Sequence, residues 1–270
     1  TTRPGIYDDR LIPPISGDMD QILILSSRPG MGKSFFSFYL AAFMAEEQSK
    51  VLLTDLDEES ASLSRFVDSV YPARKHEESS VMADKEGLVV ALSSGLDFLP
   101  YTILDEFCNS LNGNQADCLR LLKAELSPYR FTVIDTRTGL TDINLSLVTQ
   151  CEKIIMISTP DATAIYDTYS LIKVANTYFN DKNRLLVLNQ VIDQESSLDA
   201  YRELNSTLKY FLNSEIRLLG IIPEDTSVAD IQNHLIQAVP DEFDSPALKV
   251  IREISSEIRE FRYQRTSVRG

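Results

Sequence analysis

The chain has no tryptophan, two histidines and three cysteines in 270 residues, and its 26 lysines and arginines are outnumbered by 40 aspartates and glutamates. Each shortage excludes something. Cys108, Cys118 and Cys151 are odd in number and lack Cys-x-x-Cys or other metal-ligand spacing, so no disulfide framework is expected and reduced, buried thiols are. His76 and His234 stand alone and read as surface or capping residues rather than ligands or catalysts. The formal charge of −14 argues against direct nucleic-acid binding, which is driven by cations that displace counterions from phosphates. There is no run of 18 apolar residues and no signal peptide, so no segment is expected to span a membrane and the expected location is cytoplasmic. Thr1 stands where an initiator methionine would, which reads as a trimmed N-terminus.

What is present is ordinary for a globular protein, at 43% apolar and 24% charged, and 270 residues suffice for one large α/β domain. The chain is organised around Ile22-Leu23-Ile24-Leu25-Ser26-Ser27-Arg28-Pro29-Gly30-Met31-Gly32-Lys33-Ser34. An apolar run of strand length leads into a Pro/Gly loop, and residues 35–44, beginning with Phe35, have the composition of a buried helix. The segment from Ser27 to Ser34 follows the P-loop pattern G-x-x-x-x-G-K-S/T with serine at its first position. Gly30 and Gly32 let the backbone approach a phosphate, Lys33 supplies a point charge, and the Ser34 hydroxyl suits Mg²⁺. Nucleotide binding is the chemistry these residues predict.

Residues 1–20 carry Pro4, Gly5, Pro13, Pro14 and Gly17 without periodicity and read as an extended lead-in to a domain over 21–245. Residues 50–57 form an apolar strand ending in Asp55 and Asp57, placed where ligands sit in an open parallel sheet, beyond the carboxyl ends of its strands. Glu58 and Glu59 read as a solvated charge run. The polar stretch 71–94 reads as a loop with a short helix, 96–101 as a strand, and 116–125 as a helix stopped by Pro128. Residues 130–135 form a second apolar strand delivering a carboxylate, Asp135, with a loop over 136–139. Three more strands are predicted over 153–158, 184–189 and 216–222, separated by amphipathic stretches at 163–178 and 196–212. This alternation predicts a mostly parallel sheet with helices on both faces. Residues 246–270 form a C-terminal amphipathic helix and tail, with Leu248, Ile251, Ile254, Ile258 and Phe261 on one stripe. Docking on the sheet is the preferred reading over lying on an anionic membrane, because Glu253, Glu257 and Glu260 dilute its basic charge.

In this order, the features resemble the MinD/ParA group of P-loop ATPases with a deviant Walker A motif, across residues 20–262. Ser158-Thr159-Pro160-Asp161-Ala162-Thr163-Ala164-Ile165-Tyr166-Asp167 and the following Tyr169, Leu171, Ile172 and Lys173 are similar to the segment that marks the flagellar-number regulators FlhG and FleN. Leu219-Gly220-Ile221-Ile222-Pro223-Glu224-Asp225 with Val228 is similar to a segment shared by those proteins and MinD. The resemblance implies ATP and Mg²⁺ as ligands and an ATP-dependent homodimer that regulates flagellar number or placement. It implies Lys33 on the β- and γ-phosphates, Ser34, Asp55 and Asp135 around Mg²⁺, and Asp57 on the attacking water. Ser27 to Phe35 would surround the nucleotide, with Asn189 and Pro223 at the adenine. It further implies as partners an FlhF-type GTPase, a flagellar transcription activator or switch-complex proteins, and peripheral contact with the inner membrane.

Arg28 occupies the position of the family's signature lysine, which reaches across the dimer to the partner's phosphates, and arginine is a wider, planar fork. Pro29 stiffens a loop that is usually Gly-Gly there. The activating Asp-Gln-Ala motif of many FlhG proteins is not visible before Ile22, so stimulation of the GTPase is not expected. Ser27, Arg28 and Pro29 together motivate a rival reading, a nucleotide-binding scaffold with little hydrolysis. Another MinD/ParA-type positioning ATPase is a further alternative. Residues 28–34 also resemble the P-loop of replicative DnaB-type helicases, against which the acidic charge and the 222–225 segment count.

Overall fold

Apolar side chains alternate along each central strand and so feed two separate layers. Ile22 and Ile24 of β1 (Asp20–Ser26) face one way, with Leu53 of β2 (Val51–Leu56), Val133 of β5 (Phe131–Thr136) and Ile155 of β6 (Lys153–Ser158). Leu23 and Leu25 face the other way, with Leu52, Ile134 and Ile154. Strands buried on both faces read as continuous apolar runs, which is why β1, β2, β5 and β6 were legible in the sequence. The remaining strands are β3 (Val90–Ser93), β4 (Leu96–Leu99), β7 (Asn183–Val191) and β8 (Arg217–Pro223).

The structure is a computed structural model and describes residues 20–46, 49–57, 60–70, 89–110, 129–178, 183–228 and 245–260. Outside the described residues lie the lead-in up to residue 19, the stretch 71–88, the helix expected at 116–125, the tail 261–270, Glu58, Glu59, His76, His234 and Cys118. Cys151 is buried and takes part in no disulfide among the described residues.

Eight strands form a single sheet in the order β3-β4-β2-β5-β1-β6-β7-β8, and all neighbours are parallel except β3 and β4. The first layer is covered by α1 (Lys33–Glu46), α2 (Ser62–Val70) and α7 (Pro246–Glu260); the second by α3 (Tyr101–Ser110), α4 (Asp142–Gln150), α5 (Ala162–Ala175) and α6 (Gln194–Leu212). The protein is thus one α/β domain with helices on both faces. Leu248, Ile251, Ile254 and Ile258 of α7 are buried with α1 and β8, and burying each such side chain contributes roughly 1.5–3 kcal/mol relative to exposure. The apolar stripe of α7 therefore belongs to the core. Among the described residues no helix is long and apolar enough to cross a membrane.

Two expectations are corrected. Residues 90–93, read as part of a loop with a short helix, form β3, the antiparallel partner of β4. The strand read over 96–101 stops at Leu99, because Pro100 has no N–H for the ladder and its carbonyl accepts from Leu104 N (3.2 Å), opening α3.

Candidate functional site

The loops after β1, β2, β5 and β8 and the last residues of β7 meet at the carboxyl edge of the sheet around a cleft of about 780 Å³. The chain runs from β1 out to β2 on one side and later crosses to β6 on the other, and such a reversal is where open α/β sheets bind ligands.

The P-loop is held from both sides. Gly30 and Gly32 have φ of 79° and 83°, a left-handed conformation that glycine adopts without a Cβ penalty. Ser26 Oγ donates to Arg28 O (3.1 Å), Gln190 Nε2 to Gly30 O (3.0 Å) and Asn189 Nδ2 to Met31 O (2.8 Å). Three loop carbonyls are thereby occupied by protein donors, which suits an anion site because an outward carbonyl dipole would repel phosphate. The loop then enters α1, where Phe36 N donates to Gly32 O (2.9 Å) and the N-terminal end of the helix faces the cleft.

Beneath the loop, Asp135 is fully buried at the end of β5. It accepts from Lys33 Nζ (3.0 Å) and Ser34 Oγ (2.7 Å). Ser37 Oγ lies 3.0 Å from the same carboxylate and 2.9 Å from Lys33 O, its one proton serving either. A buried charge pair holds only when its remaining lone pairs are satisfied, and here two serines satisfy them. Asp55 sits opposite Asp135 in the β2–β5 register. It accepts from Asp57 N (2.9 Å), Ser64 N (2.9 Å) and Ser64 Oγ (2.8 Å), anchoring the start of α2. Burial first, and then the negative charge of Asp135, raise its carboxyl above the usual carboxylate value. Asp57, 7% exposed, lines the cleft and accepts from Ser60 N (3.0 Å) and from Ser60 Oγ.

Ser34 and Asp135 offer hard oxygen donors. Among the described residues no group of three or more His, Cys, Asp or Glu could hold a metal by itself. That donor set fits Mg²⁺, which takes one or two protein oxygens and completes its shell with water and substrate phosphates.

At the far end of the cleft, Glu224 N donates to Val191 O (2.9 Å), joining the loop after β8 to the end of β7 beside Asn189 and Pro223. Asp225 accepts from Ser227 Oγ (2.6 Å), Ser245 Oγ (2.6 Å) and Ala247 N (3.2 Å), clasping the start of α7. Burial pushes its carboxyl up, but the hydrogen bonds from Ser227 and Ser245 outweigh it and hold it below the ordinary value.

Of the residues named from the sequence, Arg28 to Phe35, Asp57, Asn189 and Pro223 line the cleft. Asp55 and Asp135 lie fully buried, and Ser27 turns away, with its Oγ 3.3 Å from Thr168 Oγ1 of α5 and 3.9 Å from Met31 Sδ. Arg28 also leans on α5. Its Nε is 2.8 Å from Asp167 Oδ2 and its Nη1 3.7 Å from Asp161 Oδ1. Sequence reasoning missed Ser60, Phe66, Arg137, Thr138 and Gln190, which also line the cleft. Gln190 and the pair Arg137 and Thr138 each follow closely on a residue that was named, Asn189 and Asp135, and that adjacency was the available signal.

The profile of the CobQ/CobB/MinD/ParA nucleotide binding domain matches residues 22–239. The flagellum site-determining protein YlxH of Helicobacter pylori is 26% identical over 215 residues, covering 76% of this chain and 70% of that protein. The antiactivator FleN of Pseudomonas aeruginosa is 21% identical over 236 residues, covering 86% of this chain and 84% of its own length. Among solved structures, the MinD cell division protein of Aquifex aeolicus superposes with a TM-score of 0.66 at 19% identity, over 90% of this chain and 98% of that one. The septum site-determining protein MinD of Pyrococcus horikoshii, complexed with Mg-ADP, does so with a TM-score of 0.65 at 20% identity, over 89% and 96%. With the profile spanning from the first buried strand to well past the last, this chain belongs to the CobQ/CobB/MinD/ParA nucleotide-binding family.

Proposed function

We propose that this protein is a slow, Mg²⁺-dependent ATPase whose ATP-bound form pairs about a two-fold axis and acts as a switch on flagellar number or placement. The observation that carries the chemistry is Lys33 and Ser34 converging on buried Asp135 directly under the P-loop, with Asp57 on the cleft wall. Lys33 would turn from Asp135 to the β- and γ-phosphates, and Ser34 with Asp135 would hold Mg²⁺. When bound, Mg²⁺ neutralises charge on the phosphate oxygens. Asp57 would orient the attacking water and take its proton as the bond from water oxygen to the γ-phosphorus forms and the β–γ bridge breaks. The electron pair leaves on ADP, and the proton passes on to solvent. Catalysis of this kind is positioning and electrostatics, without a covalent intermediate.

Closure would follow from the same residues. A terminal phosphate held between Asp57 and the turn after Asp135 would complete one self-complementary face. The likeness to YlxH and FleN supports the flagellar process, and with it an FlhF-type GTPase, a flagellar transcription activator or switch-complex proteins as partners. Peripheral contact with the inner membrane belongs to the same reading. Family membership leaves the helicase reading of the loop without support.

A second reading, a nucleotide-holding scaffold, is favoured by one observation: Arg28, at the signature position, is engaged by Asp167 and Asp161 of its own chain. Light scattering with Mg-ADP and then with a non-hydrolysable Mg-ATP analogue tests the switch; monomer with the first and dimer with the second is the expected result. Phosphate release separates the readings. An Asp57→Ala variant should bind Mg-ATP as the wild type does and release phosphate about a hundredfold more slowly, the usual loss of a positioned base. Equal and negligible release from both proteins would leave the scaffold.

A further inference from the structure

The loop after β5 carries a third cation to the cleft. Arg137 and Thr138 line it together with Arg28 and Lys33, and Arg137 is partly buried. In the sheet, β5 lies between β1, which delivers the P-loop, and β2, which delivers Asp57. Arg137 therefore springs from the strand end between the residues that would grip the phosphates and the one that would orient water.

Its backbone is fixed on three sides. Thr136 Oγ1 donates to Ile24 O (2.8 Å) and Gly139 N to Ser26 O (2.9 Å), tying both flanks of the turn to the strand that runs into the P-loop. Asn144 of α4, 1% exposed, donates through Nδ2 to both Arg137 O (2.8 Å) and Gly139 O (2.6 Å). A buried side-chain amide spent on one turn presets where that turn points its side chains. Arg28 occupies a different place, held by Asp167 of α5 and by Asp161, which caps that helix.

We infer that Arg137 is a catalytic residue acting in cis, its guanidinium contacting the terminal phosphate of bound Mg-ATP and meeting the charge that spreads over the γ-phosphoryl oxygens as the β–γ bond breaks. The inference rests on the ATPase reading above. A planar fork of donors suits the equatorial oxygens of a transferring phosphoryl group better than a point charge does. Asn144, whose side-chain amide donates to two backbone carbonyls of the turn, is the positioning residue behind it.

The test compares wild type with Arg137→Ala, Arg137→Lys and Arg137→Gln. Calorimetry gives the affinities for Mg-ADP and for a non-hydrolysable Mg-ATP analogue, and single-turnover phosphate release gives the rate. In Arg137→Ala the preference for the analogue over Mg-ADP should fall about tenfold or more and phosphate release about a hundredfold or more, with Mg-ADP affinity within about threefold of wild type. Arg137→Lys should recover part of the preference and little of the rate, since lysine cannot form the fork. An unchanged preference, or losses for both nucleotides alike, overturns the assignment. Should Arg137→Ala not fold, the Lys and Gln variants decide by the same ratio. A wild type that binds neither nucleotide fails the ATPase reading and this one with it. If the wild type binds both and releases no phosphate, hydrolysis fails alone, and the affinity ratio still decides whether Arg137 meets the terminal phosphate.

Discussion

At its C-terminal end the phosphate loop runs into a dry network, with Lys33 7% exposed and paired to a fully buried Asp135. At its N-terminal end the loop leans on a surface helix, with the Arg28 side chain 41% exposed and paired to Asp161 and Asp167, which are themselves open to solvent. Both ends carry one cation facing carboxylates, yet the physics differs. Removing one partner of a buried pair strands a charge and costs about 3–5 kcal/mol, while an exposed pair is worth about 0–1 kcal/mol. The three positions at which the loop differs from the pattern the MinD/ParA resemblance implies, Ser27, Arg28 and Pro29, fall at the exposed end, where a side chain can change without stranding a charge.

The largest expected effect tests the buried end. Lys33→Ala should abolish measurable heat with Mg-ADP and lower the free energy of unfolding by about 3 kcal/mol, near the bottom of the range for a broken buried pair because Ser34 and Ser37 still serve Asp135. Chemical denaturation and calorimetry read both losses. A loss as small as that at Arg28 would erase the contrast. Next come the two glycines of the loop, which share a positive φ but not a neighbourhood. A Cβ on Gly32 would lie 2.2 Å from Asn189 Nδ2, whereas one on Gly30 would meet nothing within 4 Å. Gly30→Ala should therefore cost only backbone strain, about 1 kcal/mol. Gly32→Ala should cost that strain and also expel Asn189 from its bond to Met31 O, lowering Mg-ADP affinity by a further tenfold or so, about the worth of one hydrogen bond. Equal effects would mean that Asn189 moves freely and does not brace the loop.

The same contrast explains what was readable in the sequence. The dry end was largely legible, because a buried strand and a left-handed turn each allow few residue types: Ile22 to Leu25 gave β1, Gly30 and Gly32 the turn, and the apolar run before Asp135 gave β5. The pairing of Asp135 with Lys33, by contrast, joins residues about a hundred positions apart and was not read. The sheet and most helices followed from the same apolar runs. Less regular pieces were missed for identifiable reasons. Helix α4 is rich in Asn, Ser and Thr and depends on its cap, Thr141 Oγ1 accepting from Asn144 N (3.1 Å), rather than on a strong apolar period. Strand β3 is a four-residue edge with one buried side chain, too short for alternation to register. In the site, Ser27 has a serine's usual freedom of partner, and its turn toward Thr168 of α5 depends on tertiary contacts that spacing along the chain does not encode.

Effects at the exposed end should be smaller. Asp161 caps α5, accepting from Ala164 N (2.9 Å), and its carboxyl is held below the usual value by the Thr159 hydroxyl first, then by that amide, with Arg28 adding attraction. Losing such a cap costs about 1 kcal/mol, so Asp161→Ala should be less stable than wild type by that amount at neutral pH. The sign of its pH dependence is set by the lowered folded value. The contribution is complete above the unfolded value of about 3.9 and disappears as pH falls through the folded one. The two unfolding curves should therefore converge below about pH 4, and a gap that stays constant into acid would show that the carboxylate's charge is irrelevant to the cap.

Arg28 itself should matter least to stability, and it is best measured as a pair. A double-mutant cycle of Arg28→Ala with Asp167→Asn should give a coupling of about 0.2–1 kcal/mol, and that coupling should shrink in 1 M salt, where the screening length falls to about 3 Å. Arg28→Lys should keep much of the Asp167 contact and lose the reach to Asp161, because an ammonium is a point charge and cannot fork between two carboxylates 2.8 and 3.7 Å from separate nitrogens. A coupling above about 2 kcal/mol that resists salt would place Arg28 in a setting as dry as that of Lys33. In that event the two ends of the loop would share one electrostatic environment, and arginine at this position would be a constraint on the fold rather than a tolerated change at its rim.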